Sequence, residues 1–168
     1  MSYLIRLIVL TLGILIVNIV IAETLTSDAQ ERGINSTCSS YLGQIEESYD
    51  LNGLNITFAH PSDPSLYPSL HVSTKKYNNG NSVFSATLSP DGEYCYLSTV
   101  VVTSVNSQSC NDITMLKIAE DSTLKTSVYA EGDYSIITPL DNDYQIILVS
   151  NGDQSCTMTE TRIVWPGR

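Results

Sequence analysis

The sequence predicts an α+β fold, one N-terminal helix packed on a predominantly antiparallel β-meander and stapled by disulfides. Three observations carry that expectation: an apolar stripe at helical spacing near residue 40, period-two alternation through most of the chain beyond residue 50, and four cysteines downstream of an export-type segment. The alternating stretches are joined by short, turn-limited connections, which imply antiparallel neighbours because a parallel crossover needs a dozen or more residues.

Residues 1–22, MSYLIRLIVLTLGILIVNIVIA, hold one charge, Arg6, and then run almost without a polar break to Ala22. Val20 and Ala22 make the small-residue pattern that signal peptidase cuts, so the segment reads as a signal peptide that leaves Glu23 at the mature N-terminus. An uncleaved anchor is the alternative. It needs about 20 apolar residues, and this run is somewhat short and contains Asn18. In either case the folded part lies outside the cytosol, secreted or, in a bacterium, periplasmic. No comparable apolar segment follows, so no membrane span is expected after the signal. Residues 23–35 read as a polar linker and 36–168 as a single β-rich domain, large enough to bury a core without depending on cross-links.

The helix is expected to start at a Ser36 or Thr37 cap, whose side-chain oxygen would satisfy free N–H groups. Cys38, Tyr41, Leu42, Ile45 and Tyr49 then share one face. Half-buried strands follow where Leu54, Ile56 and Phe58, then Phe84, Ala86 and Leu88, and later Tyr144, Ile146 and Leu148 alternate with polar residues. Residues 94–104 are richer in β-branched side chains and read as a central strand. Residues 124–129, 134–138 and 156–165 complete the set, punctuated by PDG, EGD, DND and NGD turns. HPSDPSLYP, residues 60–68, must be a loop. Asp112 to Glu120 fits either a strand or a helix capped by Asn111, with strand preferred.

In an oxidising compartment, Cys38, Cys95, Cys110 and Cys156 suggest two bridges. Cys95 opens a long strand and Cys110 follows its far end, roughly 30 Å away at about 3.3 Å per residue, whereas a bridge needs Cα atoms within about 7 Å. Strand direction puts Cys110 and Cys156 at one end of the sheet and Cys95 at the other. The preferred pairing is therefore Cys38 with Cys95 and Cys110 with Cys156.

LSPDGEYCYLS, residues 88–98, resembles the hairpin that recurs once per blade in β-propeller proteins. The resemblance covers that hairpin alone, because no second copy of the pattern is visible and a propeller needs at least four blades. Pro90 and Gly92 account for it as turn residues.

Without Arg6 the chain has 7 basic residues against 18 acidic ones, a net charge of −11. Phosphate backbones would repel it, so nucleic acid is not an expected partner. His60 and His71 flank the proline-rich loop with Asp63 between them, but the spacing matches no metal-ligand motif and no cofactor is expected. There is no GxSxG elbow and no evident base for a serine nucleophile, so enzymatic activity is not expected. Glu46 and Glu47 point in different directions from the helix and read as a solvated face. Asn35 and Asn55 stand in N-glycosylation sequons, which matter only in a eukaryote. The ten tyrosines read mainly as core or sheet-face packing. In the meander, Asp91, Glu93, Glu120, Asp121, Asp141 and Asp143 gather at one end of the sheet, where they would attract a basic protein surface or calcium. The expected function is an exported protein-binding module, of inhibitor or immunity type, acting on a basic partner. A structural or adhesive surface component is the alternative. A secreted hydrolase comes third and would need titratable groups converging in one pocket.

Overall fold

A computed structural model of the chain describes residues 24–141 and 143–164, the side chain of Glu131 excepted. The export-type segment and the end of the last expected strand lie outside the described residues.

The stretch read as a linker folds as a helix, α1 (Leu25–Glu31), and the next helix, α2 (Ser36–Tyr49), follows almost at once. Thr24 caps α1 in a reciprocal box with Ser27, and Asp28 pairs with Arg32 one turn on at 2.7 Å. Leu25 and Ala29 are fully buried, which is why so polar a segment docks. Glu46 of α2 is half-exposed and engaged, not part of a purely solvated face. Its carboxylate accepts from the backbone N–H groups of Leu25 and Thr26 and from the Thr26 hydroxyl, so it satisfies free amides of α1 and ties the two helices together. The cap of α2 is Asn35, whose side chain accepts from the N–H groups of Thr37 and Cys38, one residue ahead of the expected caps.

Eight strands follow: β1 (Asn55–Phe58), β2 (Ser69–Tyr77), β3 (Gly80–Asp91), β4 (Tyr94–Asn106), β5 (Lys125–Tyr129), β6 (Tyr134–Thr138), β7 (Tyr144–Ser150) and β8 (Ser155–Val164). They form one antiparallel sheet in the order β1-β2-β3-β4-β8-β7-β6-β5. The sheet is therefore two meanders, not one. Between β4 and β5 the chain forms a third helix, α3 (Cys110–Glu120), where a strand was preferred. Ser109, not Asn111, caps it, in a capping box with Asp112. Because α3 carries the chain back along the sheet, β5 starts at the far edge, and β8 returns to pair with β4.

The two meanders are built alike. Thr57↔His71, Ser69↔Leu88 and Leu88↔Leu97 in the first half correspond to Thr126↔Ile137, Ser135↔Leu148 and Leu148↔Met158 in the second. The β3–β4 hairpin, the one with the propeller-like sequence, has its counterpart in the β7–β8 hairpin around NGDQ. Gly92 and Gly152 occupy equivalent turn positions with φ of 60° and 115°, a region that favours glycine. Cys38, near the start of α2, bonds to Cys95 in β4, and Cys110, at the start of α3, bonds to Cys156 in β8. The β4–β8 register completes the symmetry. Superposing Cys95 on Cys156 carries the pair Leu97↔Val164 onto Met158↔Thr103, with Val100↔Thr161 at the centre. The chain is thus an α-plus-four-strand unit used twice about a local two-fold through β4 and β8, with α1 added to the first unit.

The three described α-helices cover the same face of the sheet. Along β3, Phe84, Ala86 and Leu88 are buried beneath α2, and along β7, Ile146 and Leu148 are buried beneath α3. Among the described residues the first core contains eleven buried residues and the second seven, so the second half has less apolar burial to hold it and leans more on its bridge. Removing that bridge with C110A/C156A is expected to cost about 2–4 kcal/mol in urea unfolding. Amide protection should be lost in β5 to β7 before β2 and β3. An unchanged midpoint would contradict this account of the second half.

Candidate functional site

The residues singled out for chemistry do not converge. His60 lies in the proline-rich loop, where its ring stacks on Tyr67 with centroids 4.4 Å apart and its Nδ1 accepts from the N–H of Asp63 at 3.0 Å. That contact closes the loop on itself. His71 is elsewhere, on the helix-covered face of β2 and fully buried. Among the described residues, no three His, Cys, Asp or Glu side chains come together as a metal site would require.

His71 instead belongs to a buried polar chain beneath α1. Its Nε2 lies 2.8 Å from Ser69 Oγ and its Nδ1 3.0 Å from Thr57 Oγ1, so one hydroxyl donates to the ring and the other accepts from it. Burial pushes the imidazole down to about 4, although the nearby Asp28 carboxylate acts the other way. Burial raises Asp28, but Arg32 and the neighbouring Thr57 outweigh it and hold the carboxyl below its ordinary range. The Ser69–His71 contact is a hydroxyl–imidazole pairing that no sequence motif revealed. With Ser69 only 3% exposed under α1, no substrate reaches them in this conformation. The signal for this network was the Ser-Leu-His-Val-Ser pattern of β2, which puts polar residues on the buried face.

Strand direction brings three chain-distant connections to one end of the sheet. The β3–β4 turn carries Asp91 and Glu93, the α3–β5 connection Glu120 and Asp121, and the β6–β7 connection Asp141 and Asp143. Three of the six are locally engaged. Glu120 pairs with Lys117 at 3.1 Å, Asp141 accepts from the N–H of Asp143, and Asp121 accepts from the Thr123 N–H and hydroxyl. The side-chain and backbone bonds from Thr123 hold Asp121 below the usual carboxylate range. Asp141 and Asp143 also line a shallow groove of about 810 Å³ with Thr99, Tyr144 and Arg162. The Arg162 guanidinium sits over the Tyr144 ring, 5.3 Å from its centroid, and 3.8 Å from Glu160. Burial, and then Glu160, push the nearby Tyr49 phenol above its ordinary value.

The other face of the sheet has no covering element among the described residues. In β3 and β4 each inward residue from Ser82 to Leu88 and from Cys95 to Thr99 is buried, whereas each outward neighbour is half-buried or exposed. The outward set includes Tyr94, Tyr96, Tyr129 and Tyr134, so these four tyrosines are surface groups, while Tyr41, Tyr49 and Tyr144 pack against the cores. Asn55 lies on the covered face of β1, opposite the buried Ser73. No described helix is long and apolar enough to cross a membrane.

No protein-family model matches this chain, and no curated protein or solved structure matches it either.

The buried imidazole makes stability depend on pH in a defined direction. The folded state keeps His71 neutral down to about pH 4, while the unfolded chain takes up the proton below its ordinary 6.5. This contribution is complete above pH 6.5, declines as pH falls, and levels out below about 4. The total loss is at most about 3 kcal/mol. Urea midpoints measured from pH 7 to 4.5 should fall more steeply for the unmodified chain than for His71→Gln. Parallel slopes would contradict the assignment.

Proposed function

We propose that the protein is an exported protein-binding module that offers an acidic end of a rigid sheet to a basic partner, in the manner of an inhibitor or immunity-type protein. The observation that carries this reading is the convergence of carboxylates from three connections on one sheet end, within a chain of net charge −10. Turns anchored by paired strands and two bridges lose little conformational freedom on binding, which favours affinity. Like-signed charge across such an end speeds encounter with a cationic surface and suppresses acidic partners.

The two bridges fit an oxidising compartment, and the export-type segment supplies the route there. Release rather than anchoring is part of the proposal, so mass spectrometry of the exported protein should find Glu23 at its N-terminus. An intact Met1 would contradict release. Capture of exported proteins on the immobilised chain should retain a basic protein at low salt. Asp91, Glu93 and Asp143 make no described ion pair or side-chain cap, and D91N/E93Q/D143N should weaken that retention about tenfold, roughly 1.4 kcal/mol. Raised salt should weaken it as well. Retention indifferent to both would contradict the acidic end as the binding surface.

A further inference from the structure

We infer that the uncovered face of the sheet is the interface of a face-to-face homodimer, two sheets stacked as a β-sandwich. The face mixes apolar side chains with neutral hydroxyls and is almost free of charge. Ile136, Ile147, Thr159, Val102 and Val83 stand in one cross-strand row over five neighbouring strands, with Val100 and Val72 in the next row, so apolar side chains adjoin across the middle of the face. Hydroxyls of Thr157, Thr159 and Thr161 run down the middle along β8, where each can donate or accept across an interface.

Charge selects the occupant. The chain carries 18 carboxylates, yet by strand register only one, Asp91 at the last position of β3, belongs to this face. Lys76 and Lys125 are its cations, one towards each side of the sheet. A basic protein would find almost no acid there, and two separated lysines are too few for an anionic lipid surface or a phosphate backbone. A second copy, by contrast, meets a surface on which two strongly acidic chains approach with almost no opposing carboxylates. Both copies present the same neutral, β-branched surface, as a two-fold interface requires.

The area is sufficient. At about 4.8 Å between strands and 3.3 Å per residue, the strand lengths give a face of roughly 1000 Å². A stable interface takes about 800 Å² per partner. Two such sheets pack about 10 Å apart with their twists aligned. The inference does not rest on the acidic-end reading, because the turns that carry those carboxylates remain at the rim of the sandwich.

Sedimentation equilibrium of the full chain should give twice its 18.4 kDa, or twice the mass of the signal-free form. Val100→Lys and, separately, Thr159→Lys place a charge at the middle of the face, and each should weaken self-association tenfold or more with the circular dichroism unchanged. Ser122→Lys, in the α3–β5 connection and off this face, should leave the dimer intact. If Val100→Lys fails to fold, Thr159→Lys, which replaces a half-exposed hydroxyl, decides the matter. A chain that stays monomeric, a dimer that folded Val100→Lys or Thr159→Lys variants preserve, or a monomer that binds phosphatidylcholine vesicles through this face would each overturn the inference.

Discussion

The pairing of β4 with β8 is the joint from which the rest of the structure is placed. Neither half is a complete sheet without the other, because β4 and β8 would each be a long edge with unpaired backbone groups open to another chain. Joined, they put those groups in the centre and leave only the short β1 and β5 at the edges. The register of the joint also fixes the helices. α2 starts at the end where β4 begins and α3 at the opposite end where β8 begins, so the two run in opposite directions over the same face. Each bridge connects a helix start to the second residue of one of these two strands.

Covering a sheet on one side has consequences for composition. The covered face must be filled, and beneath α1 it is filled in part by polar groups that pair with one another. Thr57, Ser69 and His71 take that role beneath α1, where a buried imidazole tolerates its surroundings only while neutral. Ile137 stands where His71 would be in the second half, and its core is apolar there. The two units thus share a backbone plan but not the same interior, and the pH dependence that comes from a buried imidazole belongs to the first unit. The uncovered face mixes hydroxyls with apolar side chains and is nearly uncharged in an acidic chain.

Much of this was legible in the sequence where side chains follow the usual pattern. α2 and the strands β3, β4, β6 and β7 bury apolar residues at their own period, and the cysteine geometry followed from strand direction alone. β2 was missed because its pattern is inverted: Ser69, His71 and Ser73 face inward while Leu70 is exposed. α1 is about two turns of mostly polar residues, and only its two buried apolar positions, Leu25 and Ala29, show why it docks. α3 misled for a related reason. Its Met115 and Leu116 are exposed, so the apolar content has no clear helical period, and the Ser109 to Asp112 capping box was the better signal. The doubling of the unit was hidden because the halves agree in register more than in residues. The DGEYC and NGDQSC turns differ by one inserted residue, enough to obscure the match. The acidic end could be drawn from strand alternation, but the local capping of Asp121 and Asp141 could not.

Peptide mapping of the exported protein under non-reducing conditions tests the two-unit plan most directly, because each bridge lies wholly within one unit. Peptides joined as Cys38–Cys95 and Cys110–Cys156 are the expected result. A bridge from one half to the other, Cys95 to Cys110 or Cys38 to Cys156, would contradict the doubled unit and the β4–β8 joint at its centre.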